Sequence, residues 1–317
     1  MNMLIIGAGS LGLLYAARLA GANGSGLSLR VDLLTHGSEQ AERIRRSGIQ
    51  ILEGKHAARV RASNAESFGT AADEAPSGID WDWIMLMVKQ THIDSSMLQR
   101  LAGMAKGRAK LVCFQNGVGH LERLAEAGIP AERLYAAVTT EGAKKTAPNE
   151  VRHTGRGVTL IGSVHAAGTY AEAKPLAEVL SAAGFRAEAT DRIGEAMYRK
   201  LLVNSVINPL TAILKIKNGT LLSSAYYMDA MNMLYREACD VLGKEGLPIT
   251  DELWEHLVDV CRKTSDNSSS MLQDVLAGRE TEIEWINGSI VRLAAKHQIS
   301  VPAHRIVYNM VKGTLPG

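Results

Sequence analysis

Met3–Ile6 is an unbroken apolar run that stops at glycines, the pattern of a strand buried on both faces of a parallel sheet. Leu11–Ala20 follows, rich in Leu, Ala and Tyr with few breakers, and predicts a helix; Gly21–Gly26 predicts the loop that ends it. The alternation then repeats. Leu29–Thr35 predicts a strand, Ser38–Ser47 a charged helix closed by Gly48, Trp83–Val88 a further apolar strand, and Ile93–Met104 another helix. Lys110–Phe114 and Leu134–Thr139 add two strands. Strands alternating with helices imply a twisted, mostly parallel sheet covered on both sides.

The pattern changes at Val151. Val151–His153 and Val158–Ile161 flank Thr154-Gly155-Arg156-Gly157, which predicts a β-hairpin turning at residues 154–157, and Phe185–Ala189 predicts one last strand. Beyond Asp191 only helical periodicity remains, for example Met228, Met231, Leu234, Ala238, Val241 and Leu242, a stripe that predicts core. The fold class expected is α/β, an N-terminal doubly wound domain (1–190) followed by an all-α C-terminal domain (191–317), with the boundary near 180–195. No internal repeat is present.

Gly7-Ala8-Gly9-Ser10-Leu11-Gly12 matches GxGxxG between the first strand and the first helix. In that context Gly7 permits a tight turn, Gly9 lets backbone amides approach a pyrophosphate, and Gly12 lets helix pack closely on strand. The unpaired amides and the positive end of the helix dipole then hold the phosphates. A dinucleotide is the expected ligand, and the N-terminal domain is of Rossmann type. At the end of the second strand, Leu34-Thr35-His36-Gly37-Ser38 offers no carboxylate for a ribose 2′-hydroxyl. Asp32 lies inside the strand and reads as a solvated or hydrogen-bonded strand residue. The absence favours NADP, with His36 and Ser38 as phosphate ligands and Arg43 close behind.

Lys200, Asn204 and Asn208 fall at four-residue steps in an otherwise apolar segment, so at about 3.6 residues per turn they share one helix face. A solvated face would explain them, but two Asn at successive turns are poor helix formers there, which favours a functional stripe. Pro209 is expected to remove one helical hydrogen bond and kink the helix at Asn208. In Asp266–Gln273, Asn267 or a neighbouring Ser is expected to cap a helix. Glu282 reads equally as solvated surface and as a buried partner for Lys200.

Composition narrows the class. The 317 residues suit two domains, and 46% hydrophobic with 21% charged residues excludes a disordered tail, a collagen or a disulfide scaffold. A formal net charge of +2 provides no broad basic field for nucleic acid or a membrane. Cys113, Cys239 and Cys261 form no CxxC and read as small buried thiols in a reducing compartment. The apolar run before Gly7 is too short for a signal-peptide core or a span, so a cytoplasmic location is expected. His120, His153, His256, His297 and His304 have no metal-like spacing and read as surface or capping residues; Lys144-Lys145 reads as a solvated charged loop.

Six segments together carry a resemblance over nearly the whole chain: Gly7–Gly12; Val88-Lys89; Gln115-Asn116-Gly117-Val118-Gly119; Val151-Arg152-His153-Thr154-Gly155; Lys200 to Thr211 (Lys-Leu-Leu-Val-Asn-Ser-Val-Ile-Asn-Pro-Leu-Thr); and Ser269-Ser270-Met271-Leu272-Gln273-Asp274 with Thr281-Glu282-Ile283. The chain resembles the ketopantoate reductases (2-dehydropantoate 2-reductases). The resemblance implies an NADP-binding Rossmann domain, a helical substrate and catalytic domain, and reduction of 2-dehydropantoate to (R)-pantoate in pantothenate synthesis. It implies that Lys200 donates the proton and that Glu282, near the nicotinamide, orients it. Asn204, Asn208, Asn218, Asn267 and Ser270 would contact substrate, Asn116 both substrate and cofactor, and Lys89 and the backbone at Ala143 the cofactor. Two departures bear on cofactor choice: His36 stands where an Arg is common, and His92 where a Gln is often found.

The site is expected in the cleft between domains, with a small-molecule substrate, no nucleic acid or membrane partner, and a homodimer compatible with the sequence. Two rivals remain: another 2-keto acid or 2-hydroxy acid oxidoreductase of this architecture, and a non-catalytic NADP(H)-binding sensor.

Overall fold

A computed structural model describes residues 1–22, 28–54, 56–68, 79–105, 107–164 and 170–314. Residues 23–26 of the expected first loop lie outside the described residues. The chain divides into two compact units, Met1–Gln115 with His120–Ile193, and Asn116–Gly119 with Gly194–Gly317.

The first unit begins β1 (Asn2–Ile6), α1 (Ser10–Gly21), β2 (Arg30–Thr35), α2 (Ser38–Ser47), β3 (Ile49–Glu53), β4 (His56–Val60), β5 (Asn64–Ser67) and β6 (Trp83–Leu86). It continues through α3 (Ser95–Met104), β7 (Lys110–Cys113), α4 (His120–Glu126), β8 (Leu134–Thr139), β9 (Gly142–Ala147), β10 (Glu150–Gly155), β11 (Thr159–Gly162), α5 (Tyr170–Ala182) and β12 (Ala187–Ala189). The main sheet has eight strands in the order β12-β11-β8-β7-β6-β1-β2-β5. From β5 to β8 all neighbours are parallel, and β11 joins β8 antiparallel. The apolar runs read from the sequence are its buried strands, as β1 and β6 show by lying almost wholly out of solvent. Behind β1, the ring of Tyr15 stacks on Phe185 at 4.1 Å and meets Phe114 edge-on, while its hydroxyl bonds Thr159 Oγ1 at 2.6 Å.

The structure corrects the expected hairpin. β10 pairs antiparallel with β9 and parallel with β3, in a second sheet ordered β4-β3-β10-β9, whereas β11 belongs to the main sheet. The two segments are successive in sequence but each finds another partner: Thr154 and Gly155 of the expected turn end strand β10, and residues 156–158 pass between the sheets. Lys144 and Lys145 are exposed but lie on strand β9, not in a loop. The histidines are corrected too. His120, His153 and His304 are buried, each with a hydrogen-bond partner: Gln90 Nε2 with His120 Nδ1, Glu141 with His153 Nε2, and the Leu234 carbonyl with His304 Nε2.

The second unit is helical: α6 (Ile193–Leu214), α7 (Ala225–Lys244), α8 (Glu252–Lys263), α9 (Ser270–Leu276), α10 (Asn287–Lys296) and α11 (Pro302–Gly313). The stripe on α7 buries Met231, Leu234, Ala238, Val241 and Leu242 as its periodicity predicts, with Met228 half-buried. Pro209 lies inside α6, which runs unbroken for 22 residues. Among the described residues no helix is long and apolar enough to cross a membrane. Cys113, Cys239 and Cys261 are buried and free.

Burial lowers the imidazole pKa of His120 in the first unit and of His304 in the second from 6.5 to about 4. Between those values the unfolded chain binds protons that the folded chain does not, so stability falls as pH drops from 6.5 towards 4. At pH 5 the loss is about 2 kcal/mol per ring by proton linkage. The urea midpoint is therefore expected to fall measurably between pH 7 and pH 5; a constant midpoint would place both rings in water.

Candidate active site

In the first unit the expected cofactor residues follow the C-terminal ends of parallel strands. Gly7–Gly12 comes after β1, His36 after β2 and Lys89, half-buried, after β6. The strand order reverses at β1, where open α/β sheets place their ligands. The loop fits a pyrophosphate. A Cβ on Gly12 would stand 1.8 Å from the Gly7 carbonyl oxygen, so only glycine lets α1 begin so close to β1, whereas a Cβ on Gly9 would meet nothing within 4 Å. Gly9, the N-cap residue of α1, contributes no capping side chain, so the first turn of the helix suits an anion. The loop is braced from both sides: Gln40 Nε2 donates to the Ala8 carbonyl at 3.0 Å, and Ser10 Oγ accepts from the Lys145 amide at 3.0 Å. Ala143 lies on the same strand as Lys145, β9, opposite His153.

Asp32 is buried inside β2 and ion-paired to Arg30 at 3.0 Å, so it does not stand at the strand end. That end carries His36, exposed, with its ring centroid 6.2 Å from that of His92; Ser38 and Arg43 on α2 are exposed as well.

In the second unit, the apolar remainder of α6 packs into the core and carries the stripe with it. Asn208 is buried, and Lys200 and Asn204 are half-buried, so the stripe is not a solvated face. Glu282 is buried, which removes its surface reading. Loss of hydration pulls the Lys200 pKa down to about 8 even though the Glu282 charge acts to raise it. Asn116 Nδ2 donates to Glu282 Oε2 at 2.9 Å.

Residues 116–119 follow β7 in the chain yet pack with the helical unit. Gly117 makes this approach possible. Its φ is +81°, and a Cβ there would stand 1.9 Å from the Trp285 carbonyl oxygen, three residues beyond Glu282.

Asn218 is buried; its amide donates to the Asn267 carbonyl at 3.1 Å, its Nδ2 donates to Thr264 Oγ1 at 2.9 Å, and its Oδ1 has no protein partner. Asn267 and Ser270 are exposed. The cap of α9 is the neighbouring Ser269, whose Oγ accepts from the Leu272 amide at 3.0 Å and from Thr211 Oγ1 at 2.7 Å. The structure thus gathers Lys200, Glu282 and Asn116 in one cluster, with Asn204 and Asn208 along the same helix, and joins Asn218 to Asn267. It shows no side-chain contact that ties Ser270 to either group. Sequence reading missed the use of Gly117 and Trp285; the signal was a Gly-x-Gly after an apolar strand, with no ligand motif to explain it. Among the described residues no group of three or more His, Cys, Asp or Glu is placed to hold a metal ion.

A partly dehydrated ammonium beside a buried carboxylate can hold and release a proton near neutral pH. Residues 3–166 match the family model "Ketopantoate reductase PanE/ApbA" and residues 192–314 its C-terminal companion, "Ketopantoate reductase PanE/ApbA C terminal". The chain is 32% identical to the 2-dehydropantoate 2-reductase of Halobacterium salinarum over 98% of both chains. Among solved structures it is similar to a D-mandelate dehydrogenase holding NADH and anilino(oxo)acetate, with a TM-score of 0.87, 27% identity and coverage of 99% of this chain and 98% of that one. It is also similar to the PanE/ApbA family ketopantoate reductase of Ralstonia eutropha, with a TM-score of 0.84, 27% identity and the same coverage. With its glycine loop, its Lys–Glu pair and matches along almost its whole length, the chain belongs to the ketopantoate reductase family of nicotinamide-dependent oxidoreductases.

Proposed function

We propose that this protein reduces 2-dehydropantoate to (R)-pantoate with NADPH, as a step of pantothenate synthesis, with residues 1–190 serving the cofactor and residues 191–317 the substrate. The observation that carries the reading is the Lys200 ammonium, pulled down to about 8 beside buried Glu282. A bound nicotinamide supplies the hydride. Lys200 then gives its proton to the alkoxide oxygen, and the positive charge that remains near that oxygen until transfer stabilises it. Glu282 orients the ammonium and Asn116 holds Glu282 in turn. Asn204, Asn208, Asn218, Asn267 and Ser270 are assigned to the substrate's carboxylate and hydroxyl groups; the unpartnered Oδ1 of buried Asn218 suits a hydroxyl donor. The Gly7–Gly12 amides, with Lys89 and the backbone at Ala143, are assigned to the cofactor, and His36 to its 2′-phosphate. The reading requires the nicotinamide to reach Lys200. The three free thiols suit a reducing compartment and support a cytoplasmic location.

A second reading, NAD-dependent turnover of another 2-hydroxy acid, is favoured by the likeness to D-mandelate dehydrogenase and by His36, which lacks the bidentate fork of an arginine. A panel of 2-dehydropantoate, pyruvate, oxaloacetate, ketoisovalerate and phenylglyoxylate, each with NADPH and NADH, separates the two. Highest kcat/KM on 2-dehydropantoate supports the first reading, and preference for any other acid overturns it. Cofactor binding with no turnover of any acid would leave a nucleotide-binding sensor.

Replacing Lys200 by Ala is expected to lower kcat by about a hundredfold or more, the scale of general acid catalysis, while nucleotide fluorescence titration still shows binding. Near-normal turnover would remove Lys200 from the chemistry. Because reduction needs the ammonium and the reverse oxidation the free amine, kcat/KM for reduction should fall about tenfold per pH unit above about 8, and that for oxidation should rise up to the same point. A reduction profile flat to pH 10 would contradict the assignment. With no carboxylate at the end of β2, NADPH should give a higher kcat/KM than NADH, and His36→Arg should widen the gap; equal values for the two nucleotides would show that His36 does not read the phosphate.

A further inference from the structure

The helix that carries Lys200 contains a defect, and a residue outside the site repairs it. Pro209 has no amide hydrogen, so the Ser205 carbonyl, four residues earlier, lacks its helical partner. Ser205 lies between Asn204 and Asn208 and is fully buried, out of reach of water. Asn287 Nδ2 donates to that carbonyl at 2.8 Å. The same amino group lies 3.0 Å from His304 Nδ1, and His304 Nε2 lies 3.0 Å from the Leu234 carbonyl on α7. The carbonyls only accept. Their demands fix the Asn287 amide with its nitrogen towards Ser205 and the imidazole with its proton on Nε2 and a lone pair on Nδ1. Asn287 and His304 show no exposed surface, and the start of α11 is itself pinned by the Ala303 and His304 amides donating to Glu237 at 2.9 and 3.0 Å.

Asn287 stands five residues after Glu282, and the intervening peptide is stiff. The Trp285 and Ile286 amides both donate to the Glu282 carbonyl at 3.0 Å, and the Gly288 amide to that of Ile283 at 3.0 Å. These bonds tie the backbone on either side of Asn287 to residues 282 and 283. We propose that Asn287, oriented by His304, is a positioning residue: by taking the carbonyl that Pro209 strands inside α6, it fixes the helix of Lys200 against the turn of Glu282. The catalytic consequence rests on the function proposed above; the clamp does not.

The test is a cycle of Asn287→Ala, Pro209→Ala and the double variant. In Pro209→Ala the new amide can serve Ser205, so kcat should stay within about twofold of the parent. Asn287→Ala should lower kcat about tenfold or more, leave the KM for NADPH within about twofold and displace the alkaline limb of the kcat profile, because the general acid is misplaced. The double variant should recover most of the loss. A double variant no better than Asn287→Ala overturns the clamp, as does Asn287→Ala with unchanged kcat and pH profile. If Asn287→Ala does not fold, the double variant is expected to fold, and its failure also counts against the proposal. A titration of Lys200 Cε by 13C NMR in the nucleotide-free protein provides a readout independent of substrate. Its midpoint should rise in Asn287→Ala as water reaches the ammonium and return in the double variant; an unmoved midpoint refutes the coupling. Failure of the parent to reduce 2-dehydropantoate would sink the proposed function alone, since the titration still judges the clamp.

Discussion

An ammonium partly deprived of water is costly, and in the helical unit Lys200 meets that cost beside the buried carboxylate of Glu282. Removing an ion from water costs several kcal/mol even after relaxation, and attraction to a carboxylate offsets this only when the geometry is held. Here dehydration outweighs the pull of Glu282, which leaves the proton loosely held near neutral pH. Glu282 is itself held by the Asn116 amide, whose Nδ2 donates to Oε2. Either group moved by an ångström would change the balance, so the surrounding turns and helix contacts serve a purpose beyond filling space.

The first unit presents a different feature, a glycine loop whose backbone fits an anion without help from a side chain. Its parallel strands direct their C-terminal ends to one edge, and α1 starts there without a capping side chain. A serine or aspartate at that position would satisfy amides of the first turn; with glycine there, they suit an anion. The bracing by Gln40 and Lys145 acts on the loop from outside and keeps the approach to Gly9 open.

Much of this was legible in the residues. Buried parallel strands are continuous apolar runs, so β1, β2, β6, β7 and β8 could be read directly, and a glycine loop after the first of them has few other meanings. The strands missed, β3, β4, β5 and β9, bury at most two side chains each, and a strand such as His56–Val60 with no buried side chain leaves no hydrophobic period. The false hairpin arose because local spacing cannot show that β10 and β11 enter different sheets. The stripe of Lys200, Asn204 and Asn208 was visible, but its partner was not: Glu282 is more than eighty residues away, and nothing nearby in sequence distinguishes it from Glu280 or Glu284. Buried histidines were misread for the same reason, since a ring satisfied by a partner elsewhere in the chain looks, in sequence, like any surface ring.

The peptide from Asn116 to Gly119 comes from the strand-rich part of the sequence but packs in the helical unit, with Gly117 fitted against Trp285. A fragment that begins at residue 191 would consequently hold the helices without the tetrapeptide that packs among them. Swapping halves between relatives would likewise need to carry this tetrapeptide along with its tryptophan.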